Sequence, residues 1–111
     1  MKNPKFQIFK SDNSEFYFRL RAGNGEPILH SEGYTTKSAC ENGIKSVKEN
    51  AQTDYFENKI NKNGDHYFLL KAANGQVIGK SEQYNTEQAM QNGIQAVIEV
   101  AGNAPVEDLT L

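Results

Sequence analysis

Residues 22–44 read AGNGEPILHSEGYTTKSACENGI, and residues 72–94 read AANGQVIGKSEQYNTEQAMQNGI. Aligned without a gap at a shift of fifty, residues 6–51 and 56–101 share 20 of 46 positions. Among the identities are Phe6/Phe56, Tyr17/Tyr67, Phe18/Phe68, Leu20/Leu70, Asn24/Asn74, Gly25/Gly75, Tyr34/Tyr84 and Ile44/Ile94. Such self-similarity marks an internal duplication. Half of a 111-residue chain is marginal for burying a core by itself. The repeat therefore demands a fold in which two copies share one interior.

Each copy reads as three strands and a helix. The first strand is expected at about Lys5–Lys10 and Tyr55–Ile60, followed by the polar turns SDNSE and NKNGD. In FYFRLRA, Phe16, Phe18, Leu20 and Ala22 alternate with Tyr17, Arg19 and Arg21, the period of a strand with one solvated face. His66 replaces Phe16 in the second copy, where Phe68, Leu70 and Ala72 keep the apolar parity. Asn24-Gly25 and Asn74-Gly75 close a second hairpin. A two-residue loop would pair Arg21 with Ile28, and a three-residue loop with a bulge would pair Leu20 with Ile28. Both registers fit the pattern.

Helices are expected from about Thr36 to Ala51 and from Thr86 to Ala101. Thr35 or Thr36, and Asn85 or Thr86, suit the N-cap, and NTEQ has the form of a capping box with Gln88 reaching back. Ala39, Gly43, Ile44, Val47 and Ala51 form one stripe, and Ala89, Gly93, Ile94, Val97 and Ala101 its counterpart. A mid-helix glycine costs roughly 1 kcal/mol relative to Ala. Its presence in both copies predicts close approach to the sheet or to the other helix. The tail VEDLTL offers a last strand, with Val106 fifty positions after Phe56.

The predicted architecture is α+β: two tandem β-β-β-α repeats on one antiparallel sheet, both helices on the same face, with a C-terminal strand added. It is read as a single pseudo-twofold domain over 1–111, with repeats at about 5–52 and 55–102 and a tail at about 105–111. Phe18, Leu20, Ile44 and Val47, with Phe68, Leu70, Ile94 and Val97, form the expected core.

The stretches GNGEPILHSEGYTTKSACENGI and ANGQVIGKSEQYNTEQAMQNGI resemble the YegP-like family of small uncharacterised bacterial proteins, here in tandem-duplicated form. The resemblance rests on the hairpin Asn-Gly, the Ser-Glu-x-Tyr and the Asn-Gly-Ile of the helix. It implies a three-strands-plus-helix unit, used as tandem repeats or as two subunits of one sheet with C-terminal segments exchanged. It carries no catalytic residue. Gln83 in place of Gly33 departs from the pattern in the loop before the helix.

Composition narrows the functional classes. Twelve basic and fourteen acidic residues give a net charge of −2, with no global attraction to nucleic acid or acidic membranes. No apolar run approaches a membrane span, and MKNPKFQIFK lacks the apolar core of a secretory signal. The expected location is cytoplasmic and the expected state a monomer. Cys40 is the only cysteine, and Met90 stands at its counterpart, as for a packed soft hydrophobe.

His30 and His66 face Lys80 and Phe16 in the alignment, and no ligand-spaced cluster surrounds them. No metal, cofactor or catalytic residue is expected. Glu32/Glu82 with Tyr34/Tyr84 read as a strand-to-helix connection, the acid near the helix N-terminus and the Tyr as a staple, rather than as a carboxylate dyad. Asn42/Asn92, poor helix formers, are expected to bond a nearby loop.

The sharper signal is the polar parity of the second strand. Tyr17, Arg19 and Arg21, with Tyr67 and Lys71, would line an open sheet face. They are the candidate partner-binding residues of a non-catalytic interaction or structural module, its partner a protein or small ligand. Aromatic and basic side chains so interleaved also permit weak nucleic-acid binding, the alternative reading. Leu69 in place of Arg19 and the net charge weigh against it.

Overall fold

The computed structural model describes residues 3–111. The strands are β1 (Lys5–Lys10), β2 (Phe16–Arg21), β3 (Pro27–His30), β4 (Phe56–Ile60), β5 (His66–Lys71), β6 (Val77–Lys80) and β7 (Val106–Asp108). Helix α1 (Lys37–Asn50) follows β3, and α2 (Glu87–Val100) follows β6. Tyr55 belongs to a short 3-10 turn, Thr53–Tyr55, rather than to β4. The sheet order is β4-β5-β6-β3-β2-β1-β7. Every pairing is antiparallel except that of β7, which lies parallel to β1 and makes the sheet mixed.

The two copies meet at the centre of the sheet, where His30 pairs with Lys80. Helix α1 lies over β2, β5 and β6, and α2 over β5 and β3, so each helix reaches across the seam. Phe6, Ile8, Phe18, Leu20, Leu29, Val47, Phe68, Leu70, Met90 and Val97 are fully buried, and Ile44 and Ile94 nearly so. Side chains of this size each contribute roughly 1.5–3 kcal/mol of burial. Equivalent edge-to-face pairs recur in both copies, Phe6 with Phe18 at 5.9 Å and Phe56 with Phe68 at 5.4 Å.

Thr36 and Thr86 are the N-caps, their hydroxyls accepting from the Ala39 and Ala89 amides at 3.1 Å. The expected capping box at NTEQ does not form. With Thr86 as cap, Gln88 falls one position early and donates along the helix to Asn92 at 3.1 Å. That bond also holds Asn92 on its own helix, not on a loop as anticipated.

Gly43 and Gly93 are explained by aromatic rings. A β-carbon at Gly43 would strike the Tyr34 hydroxyl and lie 3.0 Å from Phe18, and Gly93 stands likewise under Tyr84. Tyr34 stacks on Phe18 at 6.4 Å and Tyr84 on Phe68 at 6.5 Å. Each tyrosine thus packs between sheet and helix.

The second hairpins combine the two anticipated registers, the three-residue loop at the turn and, after one bulge, the pairing that a two-residue loop would give. A three-residue loop closes with Ala22 N–H on Glu26 O and Gly25 at φ +87°, giving Arg21 opposite Pro27. A further irregularity at Ile28 then places Leu20 opposite Leu29. β5 and β6 repeat it, with Lys71 opposite Val77 and Leu70 opposite Gly79. Beyond this hairpin, Ser31 and Ser81 are buried. Each accepts from the Phe18 or Phe68 amide at 2.9 Å and donates to the next carbonyl, satisfying backbone groups where the ladder ends.

Candidate functional site

With both helices on one side, the odd residues of β1 and β2 face the other. Lys5 pairs with Arg21, Gln7 with Arg19 and Phe9 with Tyr17, so these six side chains form a sheet-top layer on the first copy. The parity of β2 was legible in its alternation. The contribution of β1 was not, because Phe6-Gln7-Ile8-Phe9 lacks a clear period of two.

Gln7 organises the layer. It is 8% exposed, and its Oε1 accepts from Nε of Arg19 and Nε of Arg21, both at 2.8 Å. Its Nε2 donates to Glu107 on β7 at 2.7 Å, and Lys5 bonds the same carboxylate at 3.1 Å. Arg21 also donates from Nη1 to Gly25 O at 2.7 Å. The Arg19 guanidinium lies 4.4 Å from the Phe9 ring centre, and Phe9 stacks on Tyr17 at 5.7 Å. Burial, and then the neighbouring Arg21 charge, lower the Arg19 pKa from its ordinary value. Bonds to Gln7 and to Lys5 hold Glu107 below the usual carboxylate range.

Tyr17 is braced at its hydroxyl by Asn13 at 3.0 Å. A β-carbon at Gly33 would strike Glu15 and approach this hydroxyl at 2.9 Å. The glycine thus serves space, and Gln83 is its counterpart in the second copy.

The five sequence-predicted residues do not converge. Tyr17, Arg19 and Arg21 lie on β2, whereas Tyr67 and Lys71 lie on β5, with β3 and β6 between. Three inter-strand steps separate the groups by roughly 14 Å. On β5, Lys71 is paired with Glu57 at 2.7 Å, Glu57 also reaches Lys59 at 3.4 Å, and Lys80 covers the Tyr67 ring at 5.1 Å. The Lys71 and Lys59 bonds lower the Glu57 pKa. Sequence reasoning missed Lys5, Gln7, Phe9 and Glu107. The substitution of Gln7 for Glu57 between copies was the available signal.

A concavity of about 740 Å³ opens at one end of this layer beside Lys5, Gln7, Arg21, Gly25 and Pro105. Of these only Gly25 is common to both copies. A second groove of about 520 Å³ lies between the first copy's Asn24-Gly25 hairpin and α2, beside shared residues such as Asn24, Glu82, Tyr84 and Asn92.

Elsewhere, Cys40 is fully buried, and burial, then the charges of Glu41 and Asp108, push its thiol up to about 11. Such a thiol is a poor nucleophile at neutral pH. Glu82 lies 3.6 Å from His30 Nδ1 across the seam. Among the described residues, no three His, Cys, Asp or Glu side chains converge as a metal site. Among them, no helix is long and apolar enough to cross a membrane.

Comparison with known proteins gives the lineage. A family profile described as "Domain of unknown function (DUF1508)" matches twice, over residues 11–57 and 61–108. A UPF0339 protein from the ptx operon 5′ region of Stutzerimonas stutzeri is 55% identical over 49 residues, 44% of this chain and 44% of that protein. The match thus spans less than half the length of that curated relative. A UPF0339 protein of Treponema denticola is 51% identical over 47 residues, 42% of this chain but 81% of its own length. One copy therefore nearly makes that relative. The solution structure of yegP from E. coli, a protein of unknown function, superposes with a TM-score of 0.91 at 44% identity. That superposition covers 98% of this chain and 95% of the other. The chain belongs to the DUF1508 family, whose YegP-like members it resembles throughout, and it carries two copies of the family's unit.

Proposed function

We propose that this chain is a non-catalytic, cofactor-free binding module of the cytoplasm that engages its partner through the open sheet face of the first copy. The carrying observation is the Tyr17–Phe9–Arg19 assembly, two stacked rings capped by a guanidinium on the side away from both helices. A rigid aromatic shelf with a cation beside it suits planar or anionic ligand groups, because ordering it costs little on binding. The buried Cys40 thiol, a poor nucleophile, weighs toward binding rather than turnover.

Amide shifts of the full chain, followed during titration with planar aromatic ligands and with a short single-stranded oligonucleotide, test this reading. Perturbations are expected to centre on Phe9, Tyr17 and Arg19. Shifts gathering instead in the groove between the Asn24-Gly25 hairpin and α2 would move the site to the helix side. Oligonucleotide binding that falls steeply with salt would favour the nucleic-acid reading.

Replacing Tyr17 and Tyr67 by Ser should abolish the response while leaving the fold intact. The cost of losing the Phe9 stack is about 0.5–1.5 kcal/mol.

A further inference from the structure

Arg19 and Arg21 are the only two arginines of the chain, whose other basic side chains, histidines aside, are all lysines. They stand side by side on β2, and one oxygen of Gln7 receives the Nε–H of both. Two like charges are thus gathered on a neutral acceptor. An amide can orient guanidinium groups, but it cannot cancel their charge. Among the described residues, no carboxylate lies within salt-bridge distance of either. The nearby Glu107 is taken by Lys5 and by the Gln7 amide.

The second copy shows the same position closed. There Gln7 becomes Glu57, Arg19 becomes Leu69 and Arg21 becomes Lys71. Glu57 binds Lys71 at 2.7 Å and Lys59 at 3.4 Å, so that cluster supplies its own anion. One fold therefore carries a satisfied version and an unsatisfied version of one cluster. The unsatisfied one borders the concavity of about 740 Å³, into whose lining Lys5, Gln7 and Arg21 enter.

We propose that Arg19 and Arg21, oriented by Gln7, form an anion site on the first copy that takes the phosphate group of a phosphate monoester, the rest of which extends past Arg21 into this concavity. A dianionic phosphate matches two guanidinium charges and offers acceptors to their remaining N–H donors. Lys5 at the rim is already paired with Glu107, so the two guanidinium groups carry the site. The shared chemistry is a terminal phosphate, carried either by a small molecule or by a nucleic-acid end. The proposal rests on the open-face reading above and assigns that face its ligand chemistry.

Arginine Nε–H resonances give the test, since the chain has only two. The full chain is titrated with inorganic phosphate against chloride at matched ionic strength. Parallel arms use ribose 5-phosphate, and one oligonucleotide with a 5′-phosphate or a 5′-hydroxyl. Both Nε signals are expected to shift saturably with phosphate and not with chloride. Preference for ribose 5-phosphate or for the phosphorylated oligonucleotide identifies the source.

The deciding variant is Gln7→Glu, which installs the second copy's own residue, keeps an oxygen acceptor for both arginines and gives up the bond to Glu107. It should weaken phosphate binding by about tenfold or more while the protein stays folded. Arg19→Leu should do the same. Absence of a phosphate-specific shift, or an unchanged response in Gln7→Glu, overturns the anion site. If planar ligands still perturb Phe9 and Tyr17 in that case, the open-face reading survives without it.

Discussion

Leu29 and Gly79 occupy equivalent positions in the two copies, yet one is large and the other has no side chain. They meet beside the seam, where a β-carbon at Gly79 would lie 2.8 Å from Leu29 Cδ2 and Cγ. The space there holds one leucine, and duplication within one chain lets the two copies divide it unequally. Gly79→Leu is expected to destabilise by about 1–3 kcal/mol through overpacking. Leu29→Gly should cost at least the roughly 2–5 kcal/mol of a leucine truncation. The double exchange should recover part of the loss in denaturant titrations, a coupling within the roughly 0.5–3 kcal/mol seen for contacting residues. Strict additivity would show that the two positions do not share this space. Ser14 is a second asymmetry: it holds φ +67°, where the other copy has Gly64 at +85°. Left-handed backbone costs a non-glycine residue about 1–2 kcal/mol, partly offset by glycine's greater freedom when unfolded. Ser14→Gly should therefore raise stability by about 0.5–1 kcal/mol, read as an upward shift in Tm.

Among the elements, β7 most changes its surroundings. It covers the edge of β1, where Phe6 and Ile8 are fully buried, whereas on the uncovered β4 the counterpart Phe56 is half-buried and Asn58 exposed. β7 is fastened by Phe6 N–H on Pro105 O, Leu109 N–H on Ile8 O, and Lys37 Nζ on Asp108 at 2.8 Å. The Lys37 bond, then bonds from Thr110, lower the Asp108 carboxyl from 3.8 to about 2. Since the folded pKa is the lower, this contribution is present above about 3.8 and is lost as pH falls toward 2. Exchange of the Leu109 amide should accelerate through that window before the amides of β2 do, and Asp108→Asn should remove the dependence. Equal acceleration across the sheet would make the tail part of the global transition. Much at this scale was legible from sequence, because β2, β5 and the helices carry regular periods and paired Thr caps. The hairpin registers were not, since Ile28 and Leu29 are consecutive buried residues that break the alternation. Nor was the polar layer, because Gln7 acquires its role only when pairing sets it opposite Arg19.

At the scale of the molecule, tandem fusion has a topological consequence. The segment after α2 becomes β7 and crosses to β1, but the equivalent segment after α1 is β4, which instead opens the second copy. It cannot serve both as first strand and as edge cover, so one edge stays bare, and that edge is β4. Its central Glu57, Asn58 and Lys59 are what an uncovered edge needs to resist pairing with other chains. Freed from the second copy, β4 should revert to a cover strand. In a fragment of residues 1–61 it can lie along β1 of a second fragment, Phe56 in the place of Val106 and Glu57 in that of Glu107 beside Lys5 and Gln7. The fragment is therefore expected to form a twofold dimer in sedimentation experiments, and a stable folded monomer would defeat the argument from shared burial. The seam of that dimer would set two Leu29 side chains where the full chain has one leucine and one glycine. Leu29→Ala should consequently tighten the fragment dimer, although in the full chain it costs about 2–5 kcal/mol. If the substitution weakens both, the seam relaxes around two leucines, and Gly79 is not required by packing against Leu29.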